Sequence, residues 1–565
     1  MYGCRVLEAL HRQADRAQLF ARTIRSTRIV KPVRPASIAE FVRRASKLPF
    51  GAHLAVMFHA IATPDREALI EYGEAGVKRM TWGELDATIN RLANALRARG
   101  VGAGGRVALM LPNGGEYLIA QQALARLDAT AVQLGYRHKA NEIAYFLSNA
   151  EPSATLVHAA HLDVMTAARA QAGKGGPMIV IEEPAAGAHS RPAAEIAGWD
   201  RALAESSPEV PARTSRRGVQ GGVIVYTSGT TGKSKGAYRS WRTVGLESVA
   251  DMLHQVGMRA DDRHLAVCPL YHSAAPAFVA IVMGLGGTTV LMNHFEPQGA
   301  LDIIERERVT CTLMVPTMIV RIANLPGEVL DHYDTSSLRW VMSAAAPLST
   351  EAARRFMARF GPVLWNFYGA TETGIVTLAG PGDHLTRPGT IGRALRGNDI
   401  RLLDDSKREV PEGQVGELYV RNRMLISGYH RNEEATRSSQ QDGLFSVGDL
   451  GRRDADGYYY LESRKHDMVI SGGVNIYPRE IEDHLVAHPA ILDAAVIGVP
   501  DPEWGETLRA FVVLRDGHQL NEQDVIAYCR EGLADFKRPR KVTFLPELPR
   551  NPTGKILKRE LREHA

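Results

Sequence analysis

From about Ala52 to Arg452, short continuous apolar runs alternate with segments whose apolar residues recur at helical spacing. Val107-Ala108-Leu109-Met110-Leu111 runs into Pro112-Asn113-Gly114, and Glu116 to Leu127 then reads as a helix. Val309 to Val315 runs into Pro316-Thr317, with a helix from about Met318. Apolar runs closed by turn residues mark strands buried on both faces. Their alternation with helices predicts βαβ units and an α/β fold with mainly parallel sheets.

The pattern changes in three places. Residues 183 to 221, rich in Ala, Gly, Pro, Ser and Arg, read as a linker or surface excursion. The Gly/Asp-rich stretch Asp442 to Gly457 reads as turns near a boundary. Beyond it a smaller α/β unit is predicted, with strands near Ala494-Ala495-Val496-Ile497 and Phe511-Val512-Val513-Leu514. A chain of 565 residues exceeds what one core supports, so two or more domains are expected.

Charge refines this picture. Residues 1 to 50 carry eleven Lys and Arg against Glu8, Asp15 and Glu40, whereas outside them 57 cations face 60 acids. The body is therefore slightly acidic, which argues against nucleic acid as a partner. Within the basic segment Val6, Leu10, Ala14, Ala17, Phe20 and Ile24 fall at helical spacing with arginines between them. Such a helix reads as a membrane-surface element, a docking helix or a solvated arm. Cys4, Cys268, Cys311 and Cys529 are scattered without a CxxC pair, which fits neither zinc nor a disulfide framework. A cytoplasmic location, with membrane association through the arm, is the matching expectation. A homodimer stays open.

The densest chemistry lies at Tyr226 to Gly236, YTSGTTGKSKG. It follows the apolar run Val223-Ile224-Val225-Tyr226, and a helix is expected to open near Ser240. Three Gly, three Thr, two Ser and two Lys make a loop that approaches a phosphate closely and donates to its oxygens. Gly232-Lys233-Ser234 matches the end of a Walker A loop, but that motif needs Gly where Thr227 stands.

The run resembles the phosphate loop of the adenylate-forming (AMP-binding) enzymes, the family of acyl-CoA synthetases, adenylation domains and luciferases. Further motifs follow in the family's order: Pro269-Leu270-Tyr271-His272, Ser343 to Leu348, Tyr368-Gly369-Ala370-Thr371-Glu372-Thr373, Gly416-Glu417-Leu418, Gly448-Asp449-Leu450, Arg464 to Glu482, and Pro549 to Lys555. The resemblance spans about Asp65 to Glu563. It implies a large adenylation domain over 49–465, after a basic arm over 1–48. A mobile domain over 466–565 would carry a catalytic lysine.

The resemblance also implies roles. Thr227, Ser228, Gly229, Thr230, Thr231, Gly232, Lys233 and Lys235 would hold the β- and γ-phosphates of ATP. Thr371 would donate to the α-phosphate and Glu372 would ligate Mg²⁺, which prefers hard oxygen ligands. Asp449 would take the ribose hydroxyls, supported by Arg464. Tyr368, Gly369 and the Ala345-Ala346-Pro347 backbone would bracket adenine. Lys555 would reach the substrate carboxylate and α-phosphate, and His272 either orients the carboxylate or is a core histidine. Ser471, Gly472 and Gly473 would line the passage for coenzyme A. The hinge falls on His466, where the family carries Asp or Lys, with Asp467 beside it. Other departures are Ser234 for Pro, Ala344 and Ala345 for Gly, Val447 for Thr and Ser463 for Gly.

These residues imply an ATP-dependent carboxylic acid:CoA ligase acting through an acyl-adenylate. Ser273, Ala274, Ala275 and Ala277 are small and no charge stands among them, which favours a medium- or long-chain fatty acid. An aryl acid is the alternative. The rival functions are an acyl-adenylate ligase loading a carrier protein and a non-catalytic nucleotide- or lipid-binding relative.

Overall fold

The computed structural model describes residues 2–29, 32–74, 76–173, 176–182, 196–213, 218–227, 234–551 and 554–563, with only the backbone for 2–12. Helices cover three sheets. In an eight-stranded sheet Gly222–Thr227, Thr130–Gln133, Arg106–Met110, Ala154–His158 and Met178–Ile181 run parallel, as their apolar runs predict. In a 14-stranded sheet Glu67–Gly73, Thr288–Met292, Arg263–Ala266, Cys311–Met314, Trp340–Ser343 and Leu364–Ala370 also run parallel. Beyond Leu364–Ala370 the strands turn antiparallel, starting with Gly374–Ala379. A five-stranded sheet holds the smaller unit. Its centre is the antiparallel pair Ile491–Asp501 and Gly505–Leu514, with Lys541–Phe544 parallel to the second.

The largest core cluster packs helices between and over the strands, around Trp82, Tyr117, Phe278, Trp340 and Phe356, all buried. Truncating one such aromatic costs about 3–5 kcal/mol. The helix Trp82–Ala98 opens on a capping box. Thr81 Oγ1 accepts from the Glu84 N–H (3.3 Å) and Glu84 Oε2 accepts from the Thr81 N–H (2.8 Å).

Two expectations are corrected. No helix opens near Ser240: Lys235–Ser240 is a strand returning antiparallel to Gly222–Thr227, and the helix begins at Leu246. Pairing with the preceding strand outweighs the helical reading there. Most of Asp442 to Gly457 is not turn but the strand Leu444–Arg453, which passes through Gly448 at φ +80°. A glycine in that conformation kinks the strand without the strain a side chain would meet. Residues 183–195 and 214–217 of the expected linker lie outside the described residues.

The basic segment is helical over Tyr2–Thr27 and is docked along the helix Leu246–Val256. Leu19, Thr23 and Thr27 are buried, Thr23 Oγ1 donates to the Ala250 carbonyl (3.0 Å), and Arg16 pairs with Glu247 (2.6 Å). Ala14, Ala17 and Ile24, from the apolar side read in the sequence, stay exposed. Among the described residues no helix is long and apolar enough to cross a membrane.

Candidate active site

The C-terminal ends of the parallel strands in the two large sheets converge, the place where α/β sheets bind ligands. Thr227 ends one strand and Lys235 begins its antiparallel mate, and the two residues are paired. The loop between them, Ser228 to Lys233, lies outside the described residues, so six of the residues read for phosphate binding are known only from the sequence.

The turn Thr371-Glu372-Thr373 joins Leu364–Ala370 to Gly374–Ala379. Gly369 allows that closure: a Cβ there would stand 2.0 Å from the Gly374 carbonyl oxygen. Thr371 Oγ1 lies 3.0 Å from Ser273 Oγ. Buried Glu372 accepts through Oε1 from Thr227 Oγ1 (3.0 Å) and from the Tyr429 hydroxyl (3.1 Å). Its Oε2 has no partner among the described residues. One carboxylate oxygen left over at a phosphate-binding end suits Mg²⁺, which takes its other ligands from phosphates and water. Among the described residues no cluster of three or more His, Cys, Asp or Glu forms a metal cage.

Asp449 pairs across strands with Arg464, whose Nε is 3.2 Å from Oδ1. The Tyr368 hydroxyl donates to Asp449 Oδ2 (2.8 Å). Burial, followed by the Asp449 carboxylate, pushes the Tyr368 phenol far above its ordinary pKa, so it remains a donor. Ala345, after the strand Trp340–Ser343, adopts φ +73°. That conformation explains why glycine is common there in the resembling family.

Lys555 sits in a tight hairpin of the smaller unit. The Asn551 N–H donates to the Lys555 carbonyl (2.9 Å), and Asn551 Oδ1 accepts from the Lys555 N–H (2.9 Å). Gly554, at φ +76°, is pressed so closely on the large unit that a Cβ would lie 2.9 Å from Thr317 Oγ1. Burial, then the nearby Arg464 guanidinium, brings the Lys555 ammonium down to about 8, against the pull of Asp449, Asp467 and Glu372. Lys555, Arg464, Asp449 and Glu372 therefore form one electrostatic neighbourhood, although about 180 residues separate the first and last.

His272 Nε2 is shut off from solvent without a partner among the described residues. Burial, then His138 and Arg137, lowers the ring to about 3, so it is neutral at ordinary pH. His466 lies 3.7 Å from Asp467, which Arg562 also holds (3.1 Å). Burial lowers the His466 pKa, aided by Arg464, Lys555 and Arg562 and opposed by Asp467. Ser471, Gly472 and Gly473 form a separate hairpin whose neighbours belong to the smaller unit. The Gly472 N–H donates to the Trp504 carbonyl (2.8 Å), and a Gly472 Cβ would meet the Trp504 ring at 2.7 Å.

Sequence reading missed three residues and gave a fourth, Ser273, only as a small residue of the acyl wall. Tyr429 and Ser273 touch Glu372 and Thr371. Arg239 Nη2 donates to the Thr371 carbonyl (2.7 Å). Asn113 ties the two large sheets together, donating to the Cys268 carbonyl (3.1 Å) and accepting from the Leu270 N–H (2.9 Å). Of the three missed, only Asn113 carried a signal, as a polar residue closing an apolar strand run.

The family model described as AMP-binding enzyme matches residues 58–430, and that described as AMP-binding enzyme C-terminal domain matches 480–555. A feruloyl-CoA synthase of Amycolatopsis sp is 35% identical over 489 residues, covering 86% of this chain and 94% of the relative. The long-chain-fatty-acid–CoA ligase FadD13 of Mycobacterium tuberculosis is 32% identical, covering 86% and 93%. The solved structure of ATP-bound MatB from Rhodopseudomonas palustris superposes with a TM-score of 0.79 at 31% identity, covering 91% and 99%. The chain belongs to the AMP-binding enzyme family, as an acid–thiol ligase of its acyl- and aryl-CoA ligase group.

Proposed function

We propose that the protein joins a medium- or long-chain fatty acid to coenzyme A in two half-reactions. A carboxylate oxygen attacks the α-phosphorus of ATP, the bond to the bridging oxygen breaks and pyrophosphate leaves. The CoA thiol then attacks the acyl carbonyl, the bond to the phosphate oxygen breaks and AMP leaves. The observation that carries the reading is the packing of Gly554, next to Lys555 in the smaller unit, against Thr317 of the larger, which brings the Lys555 ammonium under the electrostatic influence of Arg464, Asp449 and Glu372.

In this reading Thr371 donates to the α-phosphate, Asp449 accepts from the ribose hydroxyls and Arg464 holds Asp449 in place. Lys555 supplies positive charge where the carboxylate meets phosphorus. Mg²⁺ held by Glu372 would offset phosphate charge. Neutral His272, next in the chain to Ser273 whose hydroxyl meets Thr371, orients the acid as a hydrogen-bonding group and not as a cation. The hinge lies at His466 and Asp467, between units divided near residue 465.

The acid's apolar body is read from the helix Ala274–Leu285, where Ala274 and Ile281 are half-buried and Ala277 is exposed, with no charged side chain along it. An aryl acid is the second reading, favoured by the likeness to a feruloyl-CoA synthase and by the Phe278–Phe367 stack (5.5 Å) close by. The test is a panel of fatty and aryl acids with ATP and Mg²⁺, with and without CoA. AMP release that needs both a fatty acid and CoA supports the first reading. Turnover of aryl acids alone supports the second. Adenylate that accumulates and ignores CoA overturns both.

Contact with an anionic lipid surface belongs to the same proposal. Ile38 and Val42 stand 49% and 60% exposed on the helix Pro35–Ala45, in the same segment as Arg34, Arg43 and Lys47. Replacing both apolar residues with Asp should weaken binding to anionic vesicles; unchanged binding excludes the contact.

A further inference from the structure

Arg239 occupies the strand Lys235–Ser240, opposite Val223 and four residues beyond Lys235. An arginine in a strand ordinarily turns its head to water. Here Nη2 donates to the Thr371 carbonyl, and Nε is closed to solvent without a partner among the described residues. Burial brings the guanidinium down to about 10, with Glu372 as the opposing influence. It therefore stays charged at neutral pH.

Three consecutive carbonyls of the turn are pinned from different elements. That of Thr371 accepts from Arg239, that of Glu372 from the Ile426 N–H (2.9 Å), and that of Thr373 from Asn422 Nδ2 (2.9 Å). Only the Arg239 bond carries a charge. Only Arg239 comes from the hairpin that bears the phosphate loop, since its strand pairs with Gly222–Thr227. The same hairpin reaches the turn a second time, through Thr227 Oγ1 to Glu372. A charged donor to a fixed carbonyl holds its geometry more firmly than a neutral one.

We infer that Arg239 is a positioning residue for adenylate formation: it locks the Thr371–Glu372 turn to the phosphate-loop hairpin and sets a fixed positive charge behind the α-phosphate position. The inference rests on the reading of Thr371 as the α-phosphate donor. Locking the two segments together lets one binding event, at the outer phosphates, fix the donor for the inner one. The charge favours the step in which negative charge gathers on the α-phosphate oxygens.

The test compares Arg239→Met, Arg239→Lys and Thr371→Val in two assays: acid-dependent exchange of labelled pyrophosphate into ATP, and thioester formation from supplied acyl-adenylate and CoA. Arg239→Met should lower exchange about 10–100-fold through kcat, leave thioester formation within about threefold, and leave Tm within a few degrees. Arg239→Lys should recover part of the exchange, because the charge survives while the planar fork is lost. Exchange unchanged in Arg239→Met but lost in Thr371→Val overturns the role of Arg239 alone. Exchange unchanged in both removes the Thr371 reading beneath it. Equal loss of both half-reactions with a fallen Tm makes Arg239 a folding residue and overturns the inference.

Discussion

Two hairpins of the smaller unit meet opposite fates. The Asn551–Lys555 hairpin is pressed against Thr317 of the large unit, and its lysine is partly desolvated and feels the charges of Arg464, Asp449 and Glu372. The Ser471–Gly473 hairpin leaves Gly472 and Gly473 exposed, with Trp504 of its own unit as its neighbour. Both use glycines at positive φ, Gly554 in one and Gly472 and Gly473 in the other, so local geometry does not separate them. Their placement does. The arrangement suits adenylate formation, with the passage proposed for coenzyme A standing aside. A single protein that runs two reactions on one carboxyl group needs such an exchange, because the lysine and the thiol must approach the same atom in turn.

The largest effect should fall on the converged side. Glu372→Gln should lower acid-dependent pyrophosphate exchange about 10²–10³-fold. Thioester formation from supplied adenylate should change little, and equal loss in both would dissolve the division of labour.

A pH profile sharpens the contrast. Lys555 must be protonated to stabilise the attacked phosphate, and burial lowers its pKa to about 8. The kcat/KM for exchange should therefore fall about tenfold per pH unit above that value. Thioester formation should show no such limb. A lysine left in solvent would delay the fall to roughly pH 10.

Acid should distinguish the units differently. In the large unit burial lowers His53 to about 3 and His264 to about 4. Both must take protons on unfolding, so stability is present above pH about 6.5 and drains as pH falls towards 4. The slope is about 1.4 kcal/mol per pH unit for each histidine. Denaturant unfolding followed at pH 7 and pH 5 should weaken the large unit first, and equal weakening of the smaller unit would contradict this. The smallest effect belongs to Ala345→Gly. Relief of a side chain held at φ +73° should raise stability by about 0.5–1 kcal/mol, read as a shift in denaturant midpoint.

Much of this architecture was legible in the chain. Buried parallel strands announce themselves as unbroken apolar runs, and Arg106–Met110 and Cys311–Met314 lie where those runs fall. Gly369 and Gly554 stand where a side chain would collide, so the backbone demands them. Other features were hidden because their meaning is made by distant partners. Lys235–Ser240 becomes a strand only through its mate, and Asp442 to Gly457 looks like turns because a kinked strand spends glycines as turns do. Arg239 reads as a solvated cation until the Thr371 carbonyl arrives from 132 residues away. Among the described side chains of the first helix, the docked Leu19, Thr23 and Thr27 are less apolar than the exposed Ala14, Ala17 and Ile24, so periodicity alone does not find the docked positions.

The most direct measurement runs both half-reactions on two variants, Lys555→Ala and Gly472→Val. The account predicts a crossing. Lys555→Ala should lose pyrophosphate exchange by roughly 10²–10³-fold and still convert supplied acyl-adenylate to thioester. Gly472→Val, which drives a branched side chain against Trp504, should keep exchange and lose the thioester step. Parallel losses in both assays for both variants would contradict the assignment of one hairpin to each half-reaction.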